Sequence, residues 1–176
     1  MRNIEIKVAE APDRAVLFKL LELYQHDLSD IWDQDVDASG DYGYPLDTFF
    51  TEQTHRAYLF TVNTNYAGCA LVNGSTRFQH NEHWMAQFFV MKKYRGMGVG
   101  QTAARHIFDR IRGRWEVGQV TGNTGALAFW TKIISEYTAN QFISEALNNT
   151  QWVGTLQTFD NTAPVGRRTV TGKLAG

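Results

Sequence analysis

"VMKKYRGMGVGQTAARHIF", Val90 to Phe108, passes from the end of an apolar run through a glycine-rich turn into a helical pattern. Gly96, Gly98 and Gly100 alternate. Ala103, Ile107 and Ile111 then recur four apart with Ala104 and Phe108 beside them, which predicts an amphipathic helix over Gly98 to Arg112. Glycine lets a backbone approach a ligand closely, and a helix start offers unpaired N–H groups with a partial positive charge. Lys92, Lys93 and Arg95 add formal charge. The stretch reads either as a plain turn or as an anion site, most naturally for phosphate.

Upstream, Ile4, Ile6 and Val8 alternate with polar residues as a half-buried strand does. Asp13 then reads as the cap of a helix carrying Leu17, Leu20, Leu21, Tyr24 and Leu28. A polar and aromatic loop and a short helix near Leu46 to Glu52 follow. "AYLFTV" and "YAGCALV" form a hairpin through Asn63 to Asn65, and "WMAQFFV" is another strand. Downstream, "RWEVGQV" reads as a strand. Ala126, Phe129, Trp130, Ile133, Ile134 and Tyr137 make one broad helical face behind Asn123 as N-cap. "FISEAL" and "WVGTLQTF" close the pattern as a hairpin, and "RRTVTGKLAG" is a tail or short strand. Strands alternating with helices in this way make an α/β or α+β sheet of mixed direction.

A chain of 176 residues suits one domain. With 43% hydrophobic residues and a net charge of -1, bulk numbers favour neither disorder nor a strongly basic nucleic-acid binder. Cys69 is the single cysteine, so no internal disulfide or CxxC pair is available, and a reducing compartment fits. No apolar run approaches the roughly 18 residues of a membrane span. We expect a cytoplasmic protein with neither membrane nor nucleic-acid partners. His26 and His55 lack a partner at ligand spacing, so no metal site is expected.

Three phosphate-binding arrangements compete for the glycine turn. A P-loop needs GxxxxGK[ST], and no Gly-Lys-Ser/Thr occurs. A dinucleotide fold fits better, because "GVGQTA" satisfies GxGxxA and Glu116 lies near the expected distance for a ribose-binding acid. Against it, five residues separate Val90 from Gly96, whereas that fold puts its first glycine directly after the strand. In the third, "VMKKYRGMGVG" resembles the V-x-P-x-x-R-G-x-G-x-G signature of the Gcn5-related N-acetyltransferase (GNAT) family, with Lys92 in place of the proline. "NTGALAFWTK", Asn123 to Lys132, is similar to that family's second signature, and the two stand in the family's order with a strand between them.

The resemblance implies a single GNAT-like domain over residues 1–160, a mixed and mostly antiparallel sheet with helices on both faces, and a tail over 161–176. It implies acetyl-CoA as acetyl donor and a small-molecule or peptide amine as acceptor, in a monomer or homodimer. By position, Arg95, Gly96, Met97, Gly98, Val99, Gly100 and Gln101 would hold the diphosphate. Phe88 and Val90 would meet the pantetheine arm through backbone groups, Asn123 the arm or acetyl end, and Lys132 a cofactor phosphate. Glu82 and His83 are nearest to where some relatives carry a base, with an exposed strand end as the competing reading. Trp130 stands where members often place a proton-donating Tyr, and indole N–H is not a workable acid. Tyr137, seven residues on, is the substitute, with simple core as its alternative. A non-catalytic acyl-CoA sensor of the same fold is the other functional class.

"DLSDIWDQDVDASGDYGY" gathers Asp27, Asp30, Asp33, Asp35, Asp37 and Asp41 with Trp32, Tyr42 and Tyr44. A calcium loop fails, because Ala38 takes the glycine position and Tyr44 the bidentate Glu position. Carboxylates and aromatic rings suit an amine cation, so a cationic acceptor is one expectation and solvated loop acids the other.

Overall fold

The computed structural model describes residues 2–162. Its strands are β1 (Ile4–Val8), β2 (Arg56–Val62), β3 (Asn65–Asn73), β4 (His83–Val90), β5 (Arg114–Val120), β6 (Ile143–Asn148) and β7 (Val153–Asp160). They form one sheet in the order β1-β2-β3-β4-β5-β7-β6. Every neighbouring pair is antiparallel except β4 with β5. Asn63 and Thr64, at φ 50° and 71°, make a two-residue turn between β2 and β3 whose left-handed backbone matches strand twist.

Helices cover both faces: α1 (Arg14–Trp32), α2 (Thr48–Thr51), α3 (Val99–Arg110) and α4 (Thr124–Thr138). Leu17, Leu20 and Leu21 of α1 pack with Leu59, Cys69, Leu71 and Phe89 of the sheet. On the opposite face, Ala103, Ile107 and Phe108 of α3 and Trp130, Ile133 and Ile134 of α4 pack with Phe60, Met85, Trp115 and Phe159. The alternating strands and spaced helices are thus two sides of one fact, a sheet buried on both faces.

The predicted elements form with ends that shift by a residue or more: β2, β3 and β4 extend beyond the predicted runs and α1 continues to Trp32, whereas others are shorter. Helix α3 stops at Arg110 because Ile111 turns extended at φ -116°, and the short helix keeps one turn. Asp13 does not cap α1. Its carboxylate accepts from the Glu10 N–H at 3.1 Å and from Lys7 Nζ at 2.7 Å, closing a 3-10 turn over Ala11–Asp13 instead. Asn161, placed by sequence at the head of the tail, belongs to the folded unit. It is 2% exposed, accepts from Gly113 N at 2.8 Å and donates to Phe108 O at 2.7 Å. The expected strand in "RRTVTGKLAG" lies outside the described residues.

Candidate active site

Strands β4 and β5 run parallel but pair only at His83↔Trp115 and Trp84↔Glu116, and then part. Gly118 shows what holds them apart. A Cβ there would lie 2.4 Å from the Trp84 ring and 2.7 Å from the Trp152 ring, so the two indoles fill the wedge that glycine leaves. On its other edge β4 pairs with β3, and the Met91 N–H bonds Ala67 O at 2.8 Å. Antiparallel alternation then turns the N–H and C=O of Val90 and Phe88 away from β3, into the gap. Leu71 pairs with Gln87 but Val72 pairs with Met85, so Ala86 is an extra residue in a β-bulge on the wall of that gap. A cavity of about 480 Å³ fills the opening.

The glycine turn follows the end of β4. Gly96 and Gly98 have φ of 73° and 83°, and nothing lies within 4 Å of a Cβ built on either. Gly98 caps the twelve-residue helix α3 in the left-handed conformation that glycine adopts without strain. The turn therefore presents open space in front of unpaired helix N–H groups. Gly100 has a different use: a Cβ there would meet the Phe129 ring at 3.1 Å, so its role is close packing of α3 on α4. Val99 is buried in the core, Met97 is half-buried, and Gln101 Nε2 donates to Glu136 Oε2 at 3.1 Å. Arg95 turns back from the turn, donating from Nε to Val90 O at 2.8 Å and from its terminal nitrogen to Asp27 of α1. Burial opposes ionisation of Asp27, but hydrogen bonds from Arg95 and Lys92 outweigh it and hold the carboxyl below the usual range. Lys132 is exposed on α4.

Asn123 is the cap that its position predicts: its Oδ1 accepts from Ala126 N at 3.1 Å, and its side chain lines the cavity. Trp130 also lines it, edge-on to Phe88 with centroids 4.8 Å apart. Gln119 completes this wall from β5. It is 3% exposed, its Nε2 donates to Val117 O at 3.2 Å, and among the described residues its Oε1 has no donor. A buried orphan acceptor on a cavity wall fits a ligand that brings an N–H.

Glu82, His83 and Tyr137 are not on that wall. Glu82 Oε2 accepts from Arg114 N at 3.0 Å, and His83 Nε2 lies 3.0 Å from Arg112 O, both at the closed end of the strand pair. Tyr137 donates to Asp109 Oδ1 at 2.9 Å and packs on Phe108 and Phe159; burial first, and that hydrogen bond second, push its phenol up. Seven residues along a helix is about 10 Å, which carries Tyr137 past the cavity while keeping it on the face of Trp130. These three sequence candidates have structural partners instead. Cys69 is fully buried, and burial pushes its thiol up.

Glu116 overturns the dinucleotide reading. It is 0% exposed, and its oxygens accept from Arg77 N and Phe78 N at 2.7 Å and from Asn81 Nδ2 at 2.8 Å. Such a carboxylate pins the segment between β3 and β4 and cannot meet a ribose. The cationic-acceptor expectation meets a similar obstacle. Asp33, Asp35 and Asp37 are exposed, Asp37 folds its own turn through the Ser39 and Asp41 N–H groups, and Glu22 holds the loop by the Tyr42 and Gly43 N–H groups. From that stretch only Leu28, Trp32 and Tyr44 reach the cavity wall. Burial raises the Tyr44 phenol, with neighbouring Gln87 opposing the rise.

Sequence reading missed Arg77, Trp84, Gln87, Gln119 and Trp152, all on the cavity wall. A signal existed for one: Gly118 in the middle of a strand marks a close approach by something large. Arg77 sits in "NGSTRFQHNEH", which has no periodicity to read.

The profile of the acetyltransferase (GNAT) family matches residues 17–134, about two thirds of the chain. No curated protein sequence matches significantly. An acetyltransferase from Thermus thermophilus is similar in structure at TM-score 0.66 and 14% identity, covering 90% of this chain and 97% of that one. One from Streptococcus agalactiae gives 0.60 and 14%, over 90% and 98%. A GNAT family acetyltransferase from Elizabethkingia anophelis, solved with acetyl-CoA bound, gives 0.53 and 15%, over 90% and 99%. At such identities the likeness speaks for the fold, and the profile match carries the family: this chain belongs to the GNAT acetyltransferases.

Proposed function

We propose that the protein transfers the acetyl group of acetyl-CoA to a primary amine by direct attack. The observation that carries this reading is the gap between β4 and β5, where β4 turns the backbone groups of Phe88 and the N–H of Val90 away from β3, the Val90 carbonyl being held by Arg95, and leads on to the open turn at Gly96 and Gly98. An extended amide-bearing arm can pair with a free strand edge, and a diphosphate suits the N-terminus of α3. Gly96, Gly98, Val99 and Gly100 would offer backbone N–H groups there, with Met97 and Gln101 flanking. Arg95 would act indirectly, by tying the turn to α1. Lys132 stands exposed on the helix beside the turn, available to a cofactor phosphate. Asn123 and the orphan Gln119 Oε1 supply polar groups where the acyl end would lie.

Acetyl-CoA would bring an activated thioester; attack by the amine forms the C–N bond, breaks the C–S bond and leaves one proton for the thiolate. Strand β4 contributes fixed backbone N–H groups about the bulge at Ala86 to polarise the carbonyl. Direct transfer is supported over a covalent route because Cys69 is buried away from the cavity. Ser75, on the wall, has no histidine or carboxylate among the described lining residues to activate it. On this reading the amine would arrive neutral or lose its proton to water.

Thiol release from acetyl-CoA with a panel of primary amines tests the proposal, and intersecting initial-velocity lines are expected rather than the parallel lines of an acetyl-enzyme. Trp130 in place of an acid favours one second reading, an acyl-CoA sensor. Binding of acetyl-CoA with no turnover of any amine would select it.

A further inference from the structure

The amine side of the cavity has one formal charge, and it is positive. Among the described residues lining it, Arg77 alone is ionised at neutral pH. Its guanidinium lies 3.9 Å from the Trp84 ring centroid and 5.0 Å from that of Trp152, and its Nη1 donates to Ser75 O at 2.6 Å. The indoles themselves meet edge to face at 5.3 Å. The group is thus held against the indoles, with the rest of its donors uncommitted among the described residues and no carboxylate within 4 Å. Glu116 stands behind the same segment, but its oxygens are taken by two backbone N–H groups and Asn81. A planar cation resting on aromatic rings presents a fork that matches a carboxylate.

Resting on the acetyl-transfer reading above, we propose that the acceptor is a small primary amine that also carries a carboxylate, which Arg77 receives while Trp84 and Trp152 flank its body. Trp84 precedes the bulge at Ala86 by two residues, about 7 Å along a strand, a distance that a small amino acid can span. The cavity would hold the acyl end of the donor as well, and about 480 Å³ is enough for that end together with an acceptor of amino-acid size. Arg77 has a second effect. A fixed positive charge nearby disfavours an ammonium, so the bound amine is shifted toward the neutral form that attacks. This matters because the described residues lining the cavity include no histidine or carboxylate.

The test compares matched acceptors: β-alanine with β-alaninamide, phenylalanine with phenylalaninamide, and aminoethyl phosphate as the other anion that a guanidinium fork accepts. The wild type should give kcat/KM at least tenfold higher for each acid than for its amide. Arg77→Gln should remove that preference by raising KM for the acids about tenfold to hundredfold, while the amides lose only the few-fold in kcat that the missing positive charge accounts for. Arg77→Lys, which keeps charge but not the fork, should restore part of it. Stabilisation by acetyl-CoA in a thermal-shift assay should be equal in all three proteins, which separates this role from a structural one. Amides used as well as acids, equal losses for acids and amides in Arg77→Gln, or preference for aminoethyl phosphate would each overturn the assignment. Turnover that is indifferent to the carboxylate sinks this inference and leaves acetyl transfer standing. Conversely, absence of turnover with Arg77-dependent calorimetric binding of β-alanine sinks the transfer reading alone.

Discussion

Removing the buried carboxylate of Glu116 should loosen the segment that carries Arg77, and the size of the effect follows from its partners. In Glu116→Gln one oxygen becomes an NH2. Either Arg77 N, now 2.7 Å from Oε2, or the pair formed by Phe78 N and Asn81 Nδ2 then faces a donor instead of an acceptor. Losing one charge-assisted bond and stranding its donor costs about 2–3 kcal/mol. In Glu116→Ala all three donors are stranded and a void is added, which costs about 4–5 kcal/mol. For a chain of this size each kcal/mol moves Tm by roughly 2–4 °C, so the Gln variant should melt roughly 4–12 °C lower and the Ala variant further still. Urea unfolding followed by tryptophan fluorescence gives the energies, and calorimetry gives the midpoints. Should Glu116→Gln lie within about 0.5 kcal/mol of the wild type, the ordinary range for surface positions, the anchoring role is refuted.

Other perturbations separate the parts of the site. Gly98→Ala places a side chain at φ 83°, which costs about 1–2 kcal/mol of backbone strain, and its methyl enters the space before α3; acetyl-CoA affinity by calorimetry should fall about tenfold. Gly118→Ala cannot keep both indoles where they are, since its Cβ would lie 2.4 Å from Trp84, so acceptor KM should rise while acetyl-CoA still stabilises the fold in a thermal-shift assay. Tyr137→Phe should leave kcat within about twofold and lower stability by about 1 kcal/mol, measured by turnover and urea unfolding on the same preparation. Asp27 has a lowered carboxyl, so its contribution to stability is present above the usual carboxylate range and disappears as pH falls through its folded value. Asp27→Asn should therefore be less stable than the wild type at neutral pH, and the gap should narrow in unfolding curves taken at progressively lower pH.

How much of this was legible in the sequence depended on whether a residue's neighbours were near it in the chain. Helix α4, the cap at Asn123 and strand β5 were readable because periodicity and capping are local. The glycine turn was readable for the same reason, although nothing local told Gly100, which packs on Phe129, from Gly96 and Gly98. Glu116 misled because strand alternation treats any residue between Trp115 and Val117 as facing water, and here the opposite face is covered as well. Glu82 and His83 sit at a plausible position at the start of β4, yet only the β4–β5 register shows that this is where the strands are closed. The acidic loop drew attention by composition, while the charge that reaches the cavity, Arg77, came from a segment without pattern.

The parting of β4 from β5 also has a mechanical side. Two residue pairs join β1–β4 to the β5–β7 half, whereas β5 and β7 share seven. The molecule resembles two plates on a short hinge, clamped by α3 and α4 and by the indole wedge, and a guest lying between them becomes a missing rung. Amide exchange along Phe88 and Val90 should accordingly report occupancy before any product is made.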